Sequence, residues 1–222
     1  MKQLVLDISR PLEPTLDNFV VGQNAELLSQ LRELLGTNPR ERFIYIWGAV
    51  GAGRTHLLKA SVASGGLYLG RDDHAVLEGE LPLAHIVAVD DVQHLNEAAQ
   101  IGLFNLYNRM REEGGALLTA GDCAPAQLKL RPDVVTRLGW GLVYLVHPLS
   151  DEEKNEALRV HAAQRGFVLA DEVARYLLRH WRRDLHSLMA ALDALDCYSL
   201  ETKRPITVPM VRELMQGVLD IQ

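Results

Sequence analysis

The sequence predicts an α/β protein in which a parallel, helix-covered sheet is followed by a small all-α domain. Up to Pro148, short apolar runs typical of buried strands alternate with segments of helical spacing, which is the pattern of a parallel sheet. A glycine-rich turn joins the first strand to its helix, and after Pro148 the patterns are helical. We therefore expect an N-terminal segment over 1–18, an α/β base over 19–148 and a helical lid over 149–222.

The elements of the base follow from their periodicity. The first helix has leucines on one face, and the helix that Asn96 caps has an apolar stripe of Ile101, Phe104, Tyr107 and Met110. The predicted elements are helices over 24–35 and 97–113, a helix after the glycine-rich turn, and strands over 43–47, 67–69, 86–89, 116–121 and 142–146.

Four helices are predicted for the lid. Ser150 and Glu153 have the spacing of a capping box, and Gly166 marks the end of the helix that they begin. The other three helices are expected over 171–181, 184–199 and 207–219.

The most informative motif is the glycine-rich run between the first strand and its helix. Backbone N–H groups of such a turn can approach phosphates closely, and the helix directs the positive end of its dipole at the same anion. The residues that we expect around the phosphates are Gly48, Gly51, Ala52, Gly53, Arg54, Thr55 and His56. Thr55 would place its hydroxyl on Mg²⁺. Arg54 replaces the usual lysine, so we expect nucleotide binding to survive and hydrolysis to be slow. The alternative is a glycine-rich turn without a ligand.

A second motif supports the first. The apolar run from Ile86 ends in Asp90 and Asp91, and in P-loop NTPases such a strand lies beside the loop with its acidic end near Mg²⁺. Asp90 is the expected metal partner, through water, and Asp91 the candidate base that orients the attacking water. The alternative is a strand that ends in an ordinary turn.

Composition indicates a soluble intracellular protein. The chain has 222 residues and is 48% hydrophobic, with a formal net charge of −6, which is a poor footprint for a protein whose main task is to hold duplex DNA. The apolar runs are shorter than the roughly 20 residues that span a bilayer, and Asp7 interrupts the N-terminal run where a signal peptide would lie. Cys123 and Cys197 lack metal-ligand spacing, so a reduced cytoplasm is the simplest setting.

Taken together and in order, the motifs give the chain a family resemblance over nearly its whole length. It resembles the AAA+ module of the bacterial replication initiator DnaA, and more closely the DnaA-related inactivators of the Hda family. The segments that carry the resemblance are 19–22, 54–58, 89–93, 104–109, 118–122, 137–141 and 183–185. It implies a P-loop NTPase of the AAA+ type, with ADP or ATP and Mg²⁺ as cofactors.

The resemblance assigns further nucleotide contacts. The match to the family's adenine-contacting segment is Val20, Val21 and Gly22, for which simple packing is the alternative. Asp122 matches the sensor 1 position at a strand end, where aspartate also forms turns. Arg183 matches sensor 2, a lid arginine that reaches back to the phosphates, although the neighbouring Arg182 could take that place and a solvated arginine is the alternative.

Arg137 matches the arginine finger of the family. A finger acts on the nucleotide of a neighbouring subunit, where its guanidinium stabilises charge that develops during phosphoryl transfer. The resemblance therefore makes Arg137 a catalytic residue for a partner's ATP and not for this chain's own. The alternative is a surface arginine in a loop after Pro132.

At the N-terminus, residues 3–6 resemble the clamp-binding peptide of bacterial replication proteins. Gln3 would hydrogen-bond at the rim of an apolar groove that receives Leu4 and Leu6. An edge strand or a disordered tail is the alternative, and the position at the extreme N-terminus of a DnaA-like module favours the peptide.

The resemblance implies a negative regulator of replication initiation. Bound to ADP and tethered to the DNA polymerase III β sliding clamp, it would accelerate ATP hydrolysis by ATP-bound DnaA. We expect DNA contact only indirectly through the clamp, a cytoplasmic and nucleoid-associated location, and no membrane; a homo-oligomer is left open. A DNA-binding domain is not expected after the lid, and residues 71–83 are too few for a two-helix insertion. The alternatives are a helicase-loader adaptor of the DnaA/DnaC type and an autonomous ATPase.

Overall fold

The computed structural model describes residues 13–79, 81–82, 84–181 and 184–219. These residues divide into two compact units, and the division falls after Pro148. The first is an α/β unit that begins at Glu13, and the second is helical and begins at Leu149. Each unit has its own hydrophobic core.

The first unit is built on one parallel sheet of five strands in the order β2-β3-β4-β1-β5. The strands are β1 (Phe43–Trp47), β2 (Leu67–Leu69), β3 (Ile86–Val89), β4 (Ala116–Gly121) and β5 (Leu142–Leu145). Because all pairs are parallel, the strand ends meet at two opposite edges. We call them the carboxyl edge and the amino edge. The predicted fold class is confirmed.

Helices cover both faces of this sheet. They are α1 (Ala25–Leu34), α2 (Arg54–Val62), α3 (Glu97–Glu113) and α4 (Pro132–Leu138), and a 3₁₀ segment spans Arg71–Glu78. Side chains of β1 alternate between the faces, so Ile44 and Ile46 pack in the core beneath α1 and α2, whereas Tyr45 packs in the core beneath α3 and α4. The cores on the two faces hold these helices against the sheet, so that the ends of the helices lie at its carboxyl and amino edges.

The predicted apolar faces are wrong at two positions. Ile101 is 44% exposed because α3 turns a neighbouring face, with Leu103 and Leu106, toward the sheet. Ile101 instead lines a groove of about 350 Å³ between α3 and the 3₁₀ segment. Leu35 is 39% exposed since it lies at the end of α1, where its backbone is no longer part of the helix.

The second unit is a bundle of four helices in the part of the chain that is described. They are α5 (Asp151–Gln164), α6 (Asp171–His180), α7 (Leu185–Thr202) and α8 (Val208–Leu219). The Ser150 hydroxyl accepts from the Glu153 N–H, and the Glu153 carboxylate accepts from the Ser150 N–H, so the predicted capping box begins α5. Leucines from α5, α6 and α7 fill the core.

Over the residues that the structure describes, no helix combines the length and the apolar character that crossing a membrane requires.

Candidate functional site

The ends of three strands bring the predicted phosphate-contacting residues to the carboxyl edge. Gly48 follows β1, Asp122 follows β4 and Asp90 follows β3. Trp47 pairs with Gly121, and Val89 with Thr119. The acidic strand was expected to lie beside the loop; β4 separates β3 from β1 in the sheet, and the Asp90 side chain after β3 reaches Thr55 at the start of α2. The residues still meet, since the loop turns back over the end of β4 as α2 begins.

The loop from Gly48 to Gly53 requires glycine at several positions. Gly51 and Gly53 have φ of 81° and 102°, in the left-handed region. A Cβ at Gly48 would stand 2.6 Å from the Val146 carbonyl oxygen, and one at Gly53 would stand 2.8 Å from the Phe19 ring. Helix α2 begins at Arg54, so its free N–H groups face the loop. A phosphate group fits this cradle.

Thr55 and Asp90 form the pair expected at a magnesium site. The Thr55 hydroxyl donates to Asp90 Oδ2 at 2.6 Å, and Asp90 is only 3% exposed. Both groups are hard oxygen ligands, the kind that Mg²⁺ prefers. Among the described residues no three His, Cys, Asp or Glu side chains cluster as a metal site.

Two further side chains hold Asp90, and sequence reasoning missed both. The Tyr68 hydroxyl donates to Asp90 Oδ2 at 3.0 Å, and His74 Nε2 lies 2.8 Å from the Asp90 carbonyl oxygen. Burial, and then the Asp90 carboxylate, raise the pKa of Tyr68 above its ordinary value. In the sequence, Tyr68 is simply a tyrosine between two leucines of a predicted strand. Its contact with Asp90 depends on the pairing of β2 with β3.

Arg54 and Asp91 contact each other across the loop. Arg54 Nη2 lies 3.8 Å from Asp91 Oδ1, and Gln93 donates to the same oxygen at 3.0 Å. The Asp91 backbone is left-handed, with φ of 51°. Arg54 is 9% exposed, and its Nη1 is buried with no hydrogen-bond partner among the described residues. A buried guanidinium nitrogen without an acceptor is costly, and a phosphate oxygen in the adjacent loop is the acceptor that would relieve it.

Asp122 stands exposed at the end of β4 on a rigid support. The Tyr45 hydroxyl donates to the Cys123 carbonyl at 2.6 Å, and a Cβ at Gly121 would stand 2.1 Å from that hydroxyl. Burial is the main cause that raises the pKa of Tyr45 above its ordinary value. Burial and the Asp122 carboxylate raise the pKa of the Cys123 thiol. Asp122 is therefore anchored through the backbone of its neighbours.

The predicted adenine segment forms a tight turn. Asn24 N–H donates to the Val21 carbonyl at 2.8 Å, and Gly22 has φ of 48°. The Asn24 side chain donates to the His147 carbonyl and accepts from its N–H, which ties the turn to the chain after β5. Sequence reasoning missed this role of Asn24.

The residues before this turn reach the phosphate loop itself. The Phe19 ring packs 5.5 Å from that of His56, between ring centroids, and lies over Gly53. Phe19, the residue before Val20, thus contacts the loop.

Arg137 lies at the opposite edge. It sits in the last turn of α4, just before β5, and its guanidinium carbon is 3.9 Å from the centroid of the Trp140 ring. Tyr107, which also lies near this guanidinium, packs on Phe43, the first residue of β1. The alternative of a loop arginine is wrong, because Pro132 begins a helix and does not open a loop.

Four of the predicted site residues lie outside the described residues. They are Gln3, Leu4 and Leu6 of the clamp-binding peptide and Arg183 of the sensor 2 position. Arg182, the other candidate for that position, lies outside them as well.

The phosphate loop, the Thr55–Asp90 pair and the strand order define a P-loop NTPase fold of the AAA+ class. Residues 151–215 match the family model described as Hda, lid domain. The resemblance to Hda, the DnaA-related AAA+ regulator, is confirmed by this lid together with the fold of the base.

Solved structures have the same fold. Domain III of the Thermotoga maritima replication initiation protein DnaA superposes with a TM-score of 0.75 at 24% identity, over 92% of this chain and 96% of that one. AMPPCP-bound DnaA from Aquifex aeolicus gives 0.71 at 24% identity, over 86% and 67%. The Thermotoga maritima RuvB Holliday junction branch migration motor gives 0.66 at 16% identity, over 91% and 71%.

Proposed function

We propose that this chain is an Hda-like negative regulator of replication initiation, which binds ADP and Mg²⁺ and stimulates ATP hydrolysis by DnaA in trans. The observation that carries the proposal is the place of Arg137. It lies on the amino edge of the sheet, whereas the phosphate loop lies on the carboxyl edge, in a chain whose lid matches the Hda family.

Distance supports an action in trans. β1 has five residues, and at about 3.3 Å per residue it separates the two edges by roughly 13 Å. A guanidinium must come within hydrogen-bond distance of the phosphoryl oxygens to stabilise their charge. Arg137 is therefore suited to the nucleotide of another protein, and we propose ATP-bound DnaA as that protein.

The loop supports a resident nucleotide with slow turnover. The glycine cradle and the Thr55–Asp90 pair accept a diphosphate and Mg²⁺, and the AMPPCP in the Aquifex DnaA structure occupies a protein of the same fold. Arg54 pairs with Asp91, the candidate base. A base held by an arginine is poorly placed to orient water, so we propose ADP as the resident nucleotide.

The proposed contacts with the sliding clamp and, through it, with DNA rest on the family resemblance alone. Gln3, Leu4 and Leu6 would bind the β sliding clamp, so that this chain meets DNA only through the clamp. The clamp would hold it on the nucleoid in the cytoplasm, where ATP–DnaA is to be inactivated.

The central test is single-turnover hydrolysis by ATP–DnaA with this chain and DNA-loaded clamp, with each component omitted in turn. Arg137→Ala should remove the stimulation, and Arg137→Lys should restore it poorly because a point charge does not reproduce the fork. Arg111→Ala is the matched control, since Arg111 also lies over Trp140 but is not the finger. Stimulation by Arg137→Ala equal to that of the wild type would refute the proposal.

Two binding measurements test the other parts. ADP with Mg²⁺ should raise the melting temperature, and an unchanged melt at saturating ADP would leave the loop a purely structural turn.

Replacement of Gln3, Leu4 and Leu6 by alanine should abolish calorimetric binding to the clamp without changing the melting temperature. Binding of single-stranded DNA or of a replicative helicase, without any effect on DnaA, would favour a helicase-loader adaptor instead.

A further inference from the structure

We propose that Trp140 is a positioning residue that stacks on Arg137 and holds its guanidinium ready for the partner's nucleotide. The inference deepens the proposed function and rests on it, because it names the residue that orients the finger.

Three aromatic rings surround the Arg137 guanidinium. Its central carbon lies 3.9 Å from the ring centroid of Trp140, 5.2 Å from that of Phe104 and 5.5 Å from that of Tyr107. We call the three rings the aromatic cage. A guanidinium is flat, and its faces stack on aromatic rings while its edge carries the N–H donors. At 3.9 Å the Trp140 ring is in contact, so Trp140 is the main wall of the cage.

Hydrogen bonds do not hold this guanidinium in the part of the chain that the structure describes. Arg137 Nε and Nη1 are buried and have no acceptor there. Arg131, in contrast, donates from both Nε and Nη2 to the two carboxylate oxygens of Asp133. The orientation of Arg137 must therefore come from ring contacts, and its donors are not consumed by a carboxylate of its own chain.

The cage is itself held in place. Tyr107 packs edge-on to Trp140, with 6.3 Å between centroids, and at 4.3 Å on Phe43 of β1. Tyr107 is buried in α3, whereas Trp140 remains 54% exposed. Trp140 thus stacks on the guanidinium without being part of the core, and its replacement should leave the fold intact.

The expected benefit is pre-organisation. A free arginine side chain loses much rotamer freedom when it is fixed in an interface, and small misplacements of a charge-stabilising group can cost about 10²-fold in rate. A guanidinium already stacked on Trp140 meets the transition state without that loss. The effect should appear in the maximal rate of hydrolysis and not in the affinity between the two proteins.

The test compares Trp140→Ala with Trp140→Phe in the single-turnover assay, over a range of concentrations of this chain on loaded clamp. Trp140→Ala should lower the maximal rate about tenfold or more, with the half-saturating concentration unchanged. Trp140→Phe keeps a flat ring and should recover most of the rate. A higher half-saturating concentration with a normal maximal rate would make Trp140 a docking contact and overturn the proposal, as would an unchanged alanine variant.

A second measurement does not depend on DnaA. The Nε–H resonance of Arg137, assigned by its disappearance in Arg137→Lys, should carry the ring-current shift of a stacked guanidinium in the free chain. The shift should vanish in Trp140→Ala and persist in Trp140→Phe. If the resonance has the same chemical shift in the wild type, Trp140→Ala and Trp140→Phe, Trp140 does not stack on Arg137 and the proposal is overturned. Stimulation by Arg137→Ala, in contrast, would refute the proposed function while this resonance still reports on the cage, so the two failures are distinguishable.

Discussion

Arg54 stands at the loop position where a lysine is usual, and its guanidinium makes contacts that a lysine ammonium would not reproduce. Its Nη2 lies 3.8 Å from Asp91 and its Nη1 is buried without a partner. A lysine ammonium is a compact point charge on a flexible stem, whereas the guanidinium reaches further and spreads its donors over a fork. One arm of Arg54 can thus reach the phosphates while the other keeps the carboxylate of Asp91 engaged. We infer from this geometry that the loop favours nucleotide binding over turnover.

Arg54→Lys should therefore raise the intrinsic ATPase rate of the isolated chain while ADP binding persists. Release of Asp91 from the arginine would let it orient water, and a gain of up to about tenfold corresponds to 1.4 kcal/mol of barrier. The measurement is multiple-turnover hydrolysis without DnaA or clamp. Asp91→Asn in the same background is the control, and it should cancel the gain. An Arg54→Lys chain that is slower than the wild type would show that the arginine promotes hydrolysis.

Single elements of the molecule serve more than one neighbour. Helix α3 buries Leu103 and Leu106 in the core, presents Phe104 and Tyr107 to Arg137, and leaves Ile101 in a groove. Its mixed faces explain why Ile101 does not share the buried face on which Tyr107 and Met110 lie. Helix α5 is simpler, because its first turn is closed by the Ser150–Glu153 capping box.

Ser150→Ala should destabilise the lid by about 1 kcal/mol, the usual cost of losing an N-cap side chain. The hydroxyl that accepts from the Glu153 N–H at 3.1 Å would be gone. Chemical denaturation followed by circular dichroism measures the change. Ser150→Asp keeps an acceptor at the cap and should be close to the wild type. A Ser150→Ala variant as stable as the wild type would mean that the box contributes nothing to stability.

On the scale of the molecule, local sequence patterns predicted where the helices and strands lie better than they predicted which side chains from different elements contact each other. The strand from Phe43 to Trp47 and the helix from Glu97 to Glu113 lie where periodicity and the Asn96 cap placed them, because both depend on nearby residues. The contacts of Tyr68 and His74 with Asp90 could not be predicted, since they arise from the pairing of β2 with β3 and from the packing of the 3₁₀ segment.

The same limit applied to Arg137. The sequence placed it in a family motif, but the cage joins residues of α3 to a tryptophan that follows α4, and only the fold brings them together. In the same way, the position of β4 between β1 and β3 depends on strand order, about which the sequence contains no local signal.

The central strand also gives the stability of the molecule a dependence on alkaline pH. Folding raises the pKa of Tyr45 above its ordinary value of 10.0, so the unfolded chain loses this proton at lower pH than the folded one does. The stability that the neutral hydroxyl contributes is complete below about pH 10 and is lost as the pH rises further, by up to about 1.4 kcal/mol per pH unit.

Tyr45→Phe should accordingly cost about 1 kcal/mol near neutral pH, because the hydrogen bond to the Cys123 carbonyl is lost. Above about pH 10 the difference from the wild type should shrink and then reverse, since phenylalanine has no proton to lose. Urea unfolding at a series of pH values measures it. A difference that stays constant over that series would contradict the assigned role of Tyr45.

The two edges of the sheet give the molecule a polarity. Arg137 and the phosphate loop lie on opposite edges, so the proposed contact of one molecule's Arg137 with another's nucleotide uses two different surfaces. Such a contact is heterologous, and no two-fold axis can relate the partners through it. In the proposed function, a molecule that offers Arg137 to a partner would keep its own nucleotide edge free. The proposed inactivation would therefore be directional: one protein delivers the arginine, the other loses its γ-phosphate, and the roles are not exchanged within the same contact.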